Sequence, residues 1–260
     1  MAKHQHIHLN KALGQHFLTD SAVLQAIFDA IEAHCEELPL LEVGPGAGAL
    51  SELLKHKRHY KLVEYDKRWA EHLTSSFVEL RDKVINQDFL QMNLDEAFIE
   101  PFAVVGNFPY NISSQIVFKV LDYKDRVPVM LGMFQKEMAL RICAPEGSKT
   151  YGIISVLTQL YFEPKYLFDV SPEAFNPPPK VVSGVMVMKR RAKDFEVNPS
   201  FFKSVVKIAF NQRRKTLRNS LKQFLQDEAL KALPIFDLRP EQLSLHAFIN
   251  LTNILESKQV

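Results

Sequence analysis

The fold is decided by the stretch Leu40–Gly48, which reads LLEVGPGAG. Its apolar run predicts a short buried strand that ends at Val43. The three glycines that follow allow a tight turn and a close approach of the backbone to a ligand. Residues 49–55 then have helical character. A strand, a glycine-rich turn and a helix in this order are typical of nucleotide-binding α/β folds, although such turns bind many different nucleotides.

The same alternation continues along the chain. Further strands are predicted at 60–65, 84–86 and 102–106, an apolar run at 127–134, and helices at 69–80, 113–121 and 153–161. Because strands alternate with helices, we expect a mostly parallel sheet with right-handed crossovers.

The pattern changes in the second half of the chain. Two late strands, at 166–170 and 181–188, predict an antiparallel hairpin that closes the sheet edge. From Asn198 onward apolar residues recur at helical spacing without convincing strands. We therefore predict an α/β domain over residues 1–192 and a small helical domain over residues 193–260.

Size and composition limit the classes of protein. With 260 residues and 47% hydrophobic content, the chain can bury one full core and carry a small second domain. No transmembrane span or signal peptide is recognisable, so we expect a cytoplasmic protein with no membrane partner. Cys35 and Cys143 lie far apart in sequence and predict reduced thiols rather than a disulfide or zinc site. For the alternating histidines at 4, 6 and 8, a mobile terminus is favoured over metal binding.

Positive charge is concentrated near the C-terminus. The net charge is only +2, yet residues 197–226 contain no acidic side chain. Seven cations fall inside that window: Lys203, Lys207, Arg213, Arg214, Lys215, Arg218 and Lys222. A local positive field of this kind attracts phosphate backbones, so nucleic acid is the favoured partner over a plain solvated helix face.

Two more strand ends carry polar groups suited to a nucleotide. Glu64 could accept hydrogen bonds from both ribose hydroxyls, and a carboxylate there disfavours a 2′-phosphate. Asp88 could accept from an adenine amino group, and Phe89 could cover the ring. This set fits S-adenosylmethionine as well as or better than NAD. An NAD oxidoreductase stays open as an alternative.

The segment Asn107–Tyr110, which reads NFPY, follows the strand at 102–106 and describes a pocket for an amine on a flat ring. The Asn107 amide oxygen and the Phe108 carbonyl can accept both amine hydrogens, and Pro109 restricts the backbone around that carbonyl. Tyr110 offers a face for stacking a base. Accepting both hydrogens localises the nitrogen lone pair for attack on a methyl group, and no separate general base is required. The simpler interpretation is a strand end followed by a proline turn.

These motifs, taken in order, resemble the KsgA-type ribosomal RNA adenine dimethyltransferases over almost the whole chain. The matching blocks are 13–18 (LGQHFL), 42–46 (EVGPG), 88–90 (DFL), 107–113 (NFPYNIS), 135–137 (QKE), 175–181 (FNPPPKV) and 210–215 (FNQRRK). The resemblance implies a Rossmann-like S-adenosylmethionine-dependent methyltransferase domain and a helical RNA-binding or ribosome-binding domain. It also implies dimethylation at N6 of two adjacent adenines near the 3′ end of 16S rRNA, within the small ribosomal subunit or its precursor. No metal is expected, and a monomer is the default.

The resemblance also implies roles for individual residues. The cofactor is expected to be lined by His16, Leu18, Gly44, Glu64, Asp88 and Asn107, with Gln15 close by and with Gly46 and Phe89 completing the set. The RNA-binding set is Arg213, Arg214, Lys215, Arg218 and Phe175. The first three are expected on a helix. Phe175 is expected either as a second aromatic wall for the target base or as a core residue.

This sequence departs from the family pattern at two positions and leaves two other functions open. His16 stands where Asn is frequent, and Phe108 stands where Leu is more usual. A 23S rRNA methyltransferase of the macrolide-resistance type remains an alternative, although the blocks at 175–181 and 210–215 favour the small-subunit enzyme. A non-catalytic ribosome-assembly factor is the other alternative.

Overall fold

The computed structural model describes residues 16–35 and 37–258. Gln15 and the histidines at 4, 6 and 8 therefore lie outside the described residues. In chain order the elements are β1 (Phe17–Leu18), α1 (Ser21–Cys35), β2 (Leu40–Val43), α2 (Ala49–Leu54), β3 (Tyr60–Glu64), α3 (Lys67–Ser76), β4 (Val84–Asn86), β5 (Ala103–Asn107), α4 (Ser113–Asp122), β6 (Val129–Gln135), α5 (Lys136–Ile142), α6 (Ile153–Tyr161), β7 (Phe162–Val170), β8 (Phe175–Asn176), β9 (Ser183–Arg190), α7 (Pro199–Asn211), α8 (Leu217–Ser220), α9 (Glu228–Lys231) and α10 (Leu245–Glu256).

The chain divides into two compact units. The first comprises Met1–Ala139 and Lys165–Arg190, and the second Leu140–Pro164 and Arg191–Val260. This division differs from the predicted contiguous domains because residues 140–164 group with the C-terminal part. The reason is packing: α6 is almost wholly buried and contacts α7 and α10. The sequence of so apolar a helix does not indicate which other elements will pack against it.

The first unit is built on a seven-stranded sheet with the order β4-β3-β2-β5-β6-β9-β7. Five neighbouring strands pair in parallel, in the order β4, β3, β2, β5 and β6, and β9 pairs antiparallel with β6. The predicted mostly parallel sheet with an antiparallel edge is therefore confirmed. Chain order reverses between β2 and β5, and open α/β sheets bind their ligands at such a switch point.

Two glycines allow β5 to lie very close to its neighbours. A Cβ on Gly106, whose φ is +153°, would lie 2.6 Å from the Val43 carbonyl oxygen on β2. A Cβ on Gly132 of β6 would lie 2.2 Å from the Gly106 carbonyl oxygen and 2.4 Å from the Phe108 ring. These positions accept only glycine, and they bring the segment after β5 beside the turn after β2.

Helices cover this sheet. The first, α1, buries Ile27, Ile31 and Cys35 in the apolar core, although its pattern is not among the predicted elements. The predicted helix at 69–80 forms as α3 followed by a 3-10 turn at Val78–Leu80. Asp66 caps α3, since its side chain accepts a hydrogen bond from the Arg68 N–H.

Every regular element between residues 198 and 258 is a helix, as predicted, and the core of the second unit lies among α6, α7 and α10. Asn198 caps α7 and Pro199 occupies its first turn, which is the position where a helix tolerates proline. Within the described residues no helix is long and apolar enough to cross a membrane.

Both cysteines are free thiols, as predicted. Burial raises the pKa of Cys35 and of Cys143 to about 12, which keeps both thiols protonated and unreactive. Over the described ranges no group of three or more His, Cys, Asp or Glu side chains is arranged to hold a metal ion.

Candidate active site

One pocket in the first unit lies at the carboxyl ends of the parallel strands. It brings together all the described residues predicted for the cofactor and for the amine: His16, Leu18, Gly44, Gly46, Glu64, Asp88, Phe89, Asn107, Phe108, Pro109 and Tyr110. Tyr65, which follows Glu64, also lines the pocket and is 64% exposed. Sequence reasoning missed it because an exposed aromatic after a strand has no distinctive spacing.

The glycine turn and the Glu64 carboxylate form one hydrogen-bonded wall. The Gly46 N–H donates to Oε2 of Glu64 at 3.0 Å, and the Asp66 N–H donates to Oε1 at 2.8 Å. Burial raises the pKa of Glu64, while these two donors oppose the rise. Each carboxylate oxygen keeps a further lone pair, so the group can still accept hydrogen bonds from a pair of ribose hydroxyls.

A second wall is the turn after β4. Oδ1 of Asp88 accepts the Leu90 N–H at 2.8 Å, and Phe89 is buried beside it. The Lys119 ammonium donates to the carbonyls of Leu90 and Met92 at 3.0 and 2.6 Å, which holds the turn in place. Oδ2 of Asp88 is a second hydrogen-bond acceptor in this wall, and it could accept from an adenine amino group.

Asn107 is oriented by the chain opposite it. Its Nδ2 donates to the His16 backbone carbonyl at 3.4 Å, which leaves Oδ1 as the acceptor of the amide. The Phe108 N–H donates to the Met133 carbonyl at 3.1 Å, and the Phe108 ring packs 4.8 Å from the Phe134 ring. The Asn107 side chain is thus held by the His16 carbonyl, and the Phe108 backbone is held by β6.

Tyr110 is held at both its ring and its hydroxyl. The hydroxyl shares a hydrogen bond of 2.5 Å with the buried Ser183 hydroxyl at the start of β9. The ring lies 6.1 Å from the His16 ring at an interplanar angle of 26°. Burial raises the pKa of Tyr110, so the phenol stays neutral at physiological pH. Sequence reasoning missed Ser183, because a serine at the start of a strand gives no signal of its partner.

His16, the departure from the family pattern, forms two hydrogen bonds with described residues in addition to its ring contact with Tyr110. Its backbone carbonyl accepts from Asn107, and its Nδ1 donates to the Pro177 carbonyl at 2.9 Å. The contact to Asn107 is therefore a backbone contact that many side chains would allow. Its ring is additionally tied to the segment after β8.

A buried carboxyl lies in the pocket wall under the glycine turn. Glu42, on β2, is 2% exposed and accepts hydrogen bonds from the Ser51 hydroxyl at 2.7 Å and from the Tyr60 hydroxyl. Burial raises the pKa of Glu42 to about 7, although these two hydrogen bonds oppose the rise. This network was not predicted, because Ser51 and Tyr60 reach Glu42 from a helix and from a neighbouring strand.

Phe175 does not line this pocket in the described structure. It pairs with Leu18 in a two-stranded β1–β8 ladder, is 4% exposed and belongs to the apolar core cluster. Of the two roles that the sequence left open, the core residue is favoured over the aromatic wall.

Three of the predicted RNA-binding cations lie in a turn of the second unit. The expectation that Arg213, Arg214 and Lys215 lie on a helix is wrong: α7 ends at Asn211, and the three residues form a turn before α8. The chain turns there because Gln212 leaves the helical conformation and its carbonyl accepts the Lys215 N–H.

Their side chains differ in what they contact. Arg213 donates to the Lys149 carbonyl at 2.7 Å, and Arg218 pairs with Asp237 at 2.5 Å. Arg214 and Lys215 are exposed. Two of the four predicted cations are thus engaged inside the unit, while the other two face solvent.

The chain is similar to known proteins over nearly its whole length. Residues 7–254 match the profile of a family described as ribosomal RNA adenine dimethylase. The chain is 51% identical over 247 residues to a Parabacteroides distasonis protein named Ribosomal RNA small subunit methyltransferase A, which covers 94% of this chain and 92% of that protein. It is 48% identical over 254 residues to the Flavobacterium johnsoniae protein of the same name, which covers 96% of this chain and 97% of that protein.

Solved structures support the fold. A dimethyladenosine transferase from Plasmodium falciparum superimposes with a TM-score of 0.80 at 22% identity and covers 94% of this chain and 99% of that one. The 23S rRNA methyltransferase ErmE superimposes with a TM-score of 0.71 at 27% identity and covers 91% of this chain and 99% of that one.

Proposed function

The chain belongs to the ribosomal RNA adenine dimethylase family, and we propose that it transfers methyl groups from S-adenosylmethionine to N6 of adenine in small-subunit ribosomal RNA. The observation that carries the proposal is the orientation of Asn107. Its Nδ2 is held by the His16 carbonyl, so its oxygen is an amine acceptor in the same pocket as Glu64.

The residues of the pocket fit S-adenosylmethionine. The Glu64 carboxylate suits the ribose hydroxyls, the Asp88 carboxylate suits the adenine amino group, and Phe89 and Tyr65 supply apolar cover. The glycine turn after β2 permits close approach of the ligand, since Gly44 and Gly46 have positive φ. Bound there, the cofactor supplies an electrophilic methyl group on a sulfonium centre.

The protein's own groups then act on the target amine. Oδ1 of Asn107 and the Phe108 carbonyl accept the two N6 hydrogens, so the nitrogen lone pair is no longer delocalised into the ring. The Tyr110 ring stacks on the base and limits its rotation. Because these groups are held by the backbone contacts of β6 and His16, catalysis comes from positioning and electrostatics.

The partner is the small ribosomal subunit or its precursor, and the target is the pair of adjacent adenines near the 3′ end of 16S rRNA. Relatives named Ribosomal RNA small subunit methyltransferase A, about half identical to this chain over nearly its whole length, support this choice over large-subunit RNA. We assign the first unit to catalysis and the second to RNA binding through its exposed cations. The protein acts in the cytoplasm as a monomer.

The test uses undermethylated small subunits and S-adenosylmethionine labelled in the methyl group, followed by mapping of the labelled adenines. The wild-type protein labels the two adjacent adenines. Asn107→Ala lowers the rate of transfer by about 100-fold to 1,000-fold, the range found when a positioned polar group is removed from an active site. Its affinity for the particle changes little.

Asn93→Ala is the matched control, because Asn93 is exposed and does not line the pocket. It should label at the wild-type rate. Label confined to large-subunit RNA would replace the proposal by the 23S alternative. Particle binding without any label would leave a non-catalytic assembly factor.

A further inference from the structure

In the second unit, a loop at residues 145–151 is fastened to the turn that carries the exposed cations. We call residues 212–216 the basic turn and residues 145–151 the tethered loop. Nη2 of Arg213 in the basic turn donates to two carbonyls of the tethered loop, to Lys149 at 2.7 Å and to Ser148 at 3.4 Å. The Arg213 side chain is thus committed to the protein's own backbone.

Two further contacts, at Gly147 and Tyr151, anchor the tethered loop. The Gly147 N–H donates to the Glu241 carbonyl at 2.7 Å, where the backbone has a φ of +79°. Tyr151 is fully buried and lies edge-on to Phe210, the penultimate residue of α7. Between these anchors, the two hydrogen bonds of Arg213 join the segment to the basic turn in the part of the unit that the structure describes.

Three exposed cations lie on the two segments that Arg213 joins. Lys149 belongs to the tethered loop, and Arg214 and Lys215 belong to the basic turn. The side chains of all three are exposed, and none forms an ion pair with a described residue of the chain. Lys149 has no signal in the sequence, because it lies more than sixty residues before the basic turn.

We propose that Arg213 is a positioning residue, which holds Lys149 beside Arg214 and Lys215 to form one phosphate-binding surface for RNA. The proposal rests on the proposed function for its partner, ribosomal RNA. Lys149, Arg214 and Lys215 contact phosphates directly, whereas Arg213 contributes through the tethered loop. Removing Arg213 therefore weakens RNA binding by releasing Lys149.

The test measures affinity for undermethylated small subunits over a series of salt concentrations, with the full-length protein. Each lost phosphate contact lowers the salt dependence by about one unit in the slope of log affinity against log salt. Lys149→Gln and Arg214→Ala should each lower the slope by about one, with an affinity loss of about threefold to tenfold at moderate salt.

The decisive comparison is between Arg213→Ala and the Arg213→Ala/Lys149→Gln double variant. If Arg213 acts through Lys149, the slope falls by about one in the single variant and no further in the double variant. Independent phosphate contacts would make the slope fall by about two in the double variant, and that result would overturn the proposal.

Hydrogen exchange supplies a second readout that needs no RNA. Arg213→Ala should raise the exchange rates of the amides at 147, 148 and 151, while Arg214→Ala should leave them unchanged. Unchanged exchange in Arg213→Ala would also overturn the proposal. Lys231→Gln is the control cation, since Lys231 pairs with Glu228 at 2.5 Å within the same unit, and it should leave both readouts unchanged.

The two proposals fail in different ways. If the wild-type protein does not bind small subunits with a salt-dependent affinity, the proposed function fails. The tethering role of Arg213 is then still decided by exchange in the tethered loop, and the assignment of Lys149 to RNA falls with the partner.

Discussion

The pocket of the first unit and the basic turn of the second differ in what fixes their side chains. In the pocket, Glu64 and Asn107 stand at strand ends whose positions follow from the pairing of β3 and β5 with β2. In the second unit, Arg213 and Arg214 are adjacent in sequence, yet one is bound to backbone carbonyls and the other is exposed. Strand register determines where a polar side chain lies, whereas charge density does not tell which cations face a partner.

The largest expected effect comes from the closest backbone approach in the sheet. Gly132→Ala places a Cβ 2.2 Å from the Gly106 carbonyl oxygen, so β5 or β6 must shift. We expect a loss of about 3 kcal/mol in the free energy of unfolding, the upper end for overpacking. Urea denaturation of the purified variant measures it.

Gly147→Ala is the matched change in the second unit. Its φ of +79° disfavours an alanine, but a Cβ there would meet no atom within 4 Å. The cost should be about 1 kcal/mol, from backbone strain alone. If Gly132→Ala and Gly147→Ala lost equal free energy of unfolding, the strand pairing around the pocket would be no more tightly constrained than the loop at residue 147.

The next effect concerns the wall formed by Glu64. In Glu64→Gln, the amide nitrogen must face one of the two N–H donors, from Gly46 or from Asp66, and one acceptor for the ribose is lost. We expect S-adenosylmethionine affinity to fall by about 100-fold, since a hydrogen bond to a charged group contributes about 1.5–3 kcal/mol. Isothermal titration calorimetry measures it.

Glu71→Gln serves as the control for that measurement. Glu71 is an exposed residue of α3 that forms a surface ion pair with Lys67. Its removal should leave cofactor affinity unchanged. Cofactor binding by Glu64→Gln at the wild-type level would remove Glu64 from the cofactor site.

Much of the fold was predictable because its signals are local. The boundaries of α6 match the prediction, β2 ends directly before the glycine turn, and β4 ends at Asn86, two residues before Asp88. The helix α1 and the grouping of 140–164 with the second unit were not predicted, because both depend on which apolar faces meet in space.

The site was predictable to the same extent. Strand ends and the NFPY motif located the pocket residues, since the sheet brings those ends together. The partners that orient them, such as Ser183 for Tyr110 and the His16 carbonyl for Asn107, come from segments 73 and 91 residues away. Contacts of that range follow from tertiary packing and have no signature in a single sequence.

A third prediction concerns the pH dependence of stability in the pocket wall. Burial raises the pKa of Glu42 from its usual 4.5 to about 7, so the folded state holds a proton that the unfolded state releases. Between pH 5 and pH 8 the free energy of unfolding should therefore fall as pH rises, by about 2 kcal/mol from this group.

Glu42→Gln should abolish that fall, because the glutamine keeps an acceptor for the hydroxyls of Ser51 and Tyr60 and has no proton to lose. The measurement is urea denaturation of both proteins at pH 5 and pH 8. An equal pH dependence in the two proteins would show that Glu42 is ionised in the folded state throughout this range.

The smallest effect tests how precisely the pocket must hold its aromatic face. Ser183→Ala and Tyr110→Phe each remove one partner of the same hydrogen bond, and each should lower the kcat of methyl transfer by about fivefold, since a hydrogen bond contributes about 1 kcal/mol. The double variant should be no slower than either single variant, because both changes release the same ring. The KM for the particle should stay unchanged, since the basic surface of the second unit is intact.

Tyr166→Phe is the matched control: its hydroxyl bonds to Asp169 and lies against Gly184 of β9, outside the pocket. If Tyr166→Phe slows transfer as much as Tyr110→Phe does, the loss reflects a general disturbance of β9. Additive losses from Ser183→Ala and Tyr110→Phe would instead mean that Ser183 acts on the site by a route other than the Tyr110 hydroxyl.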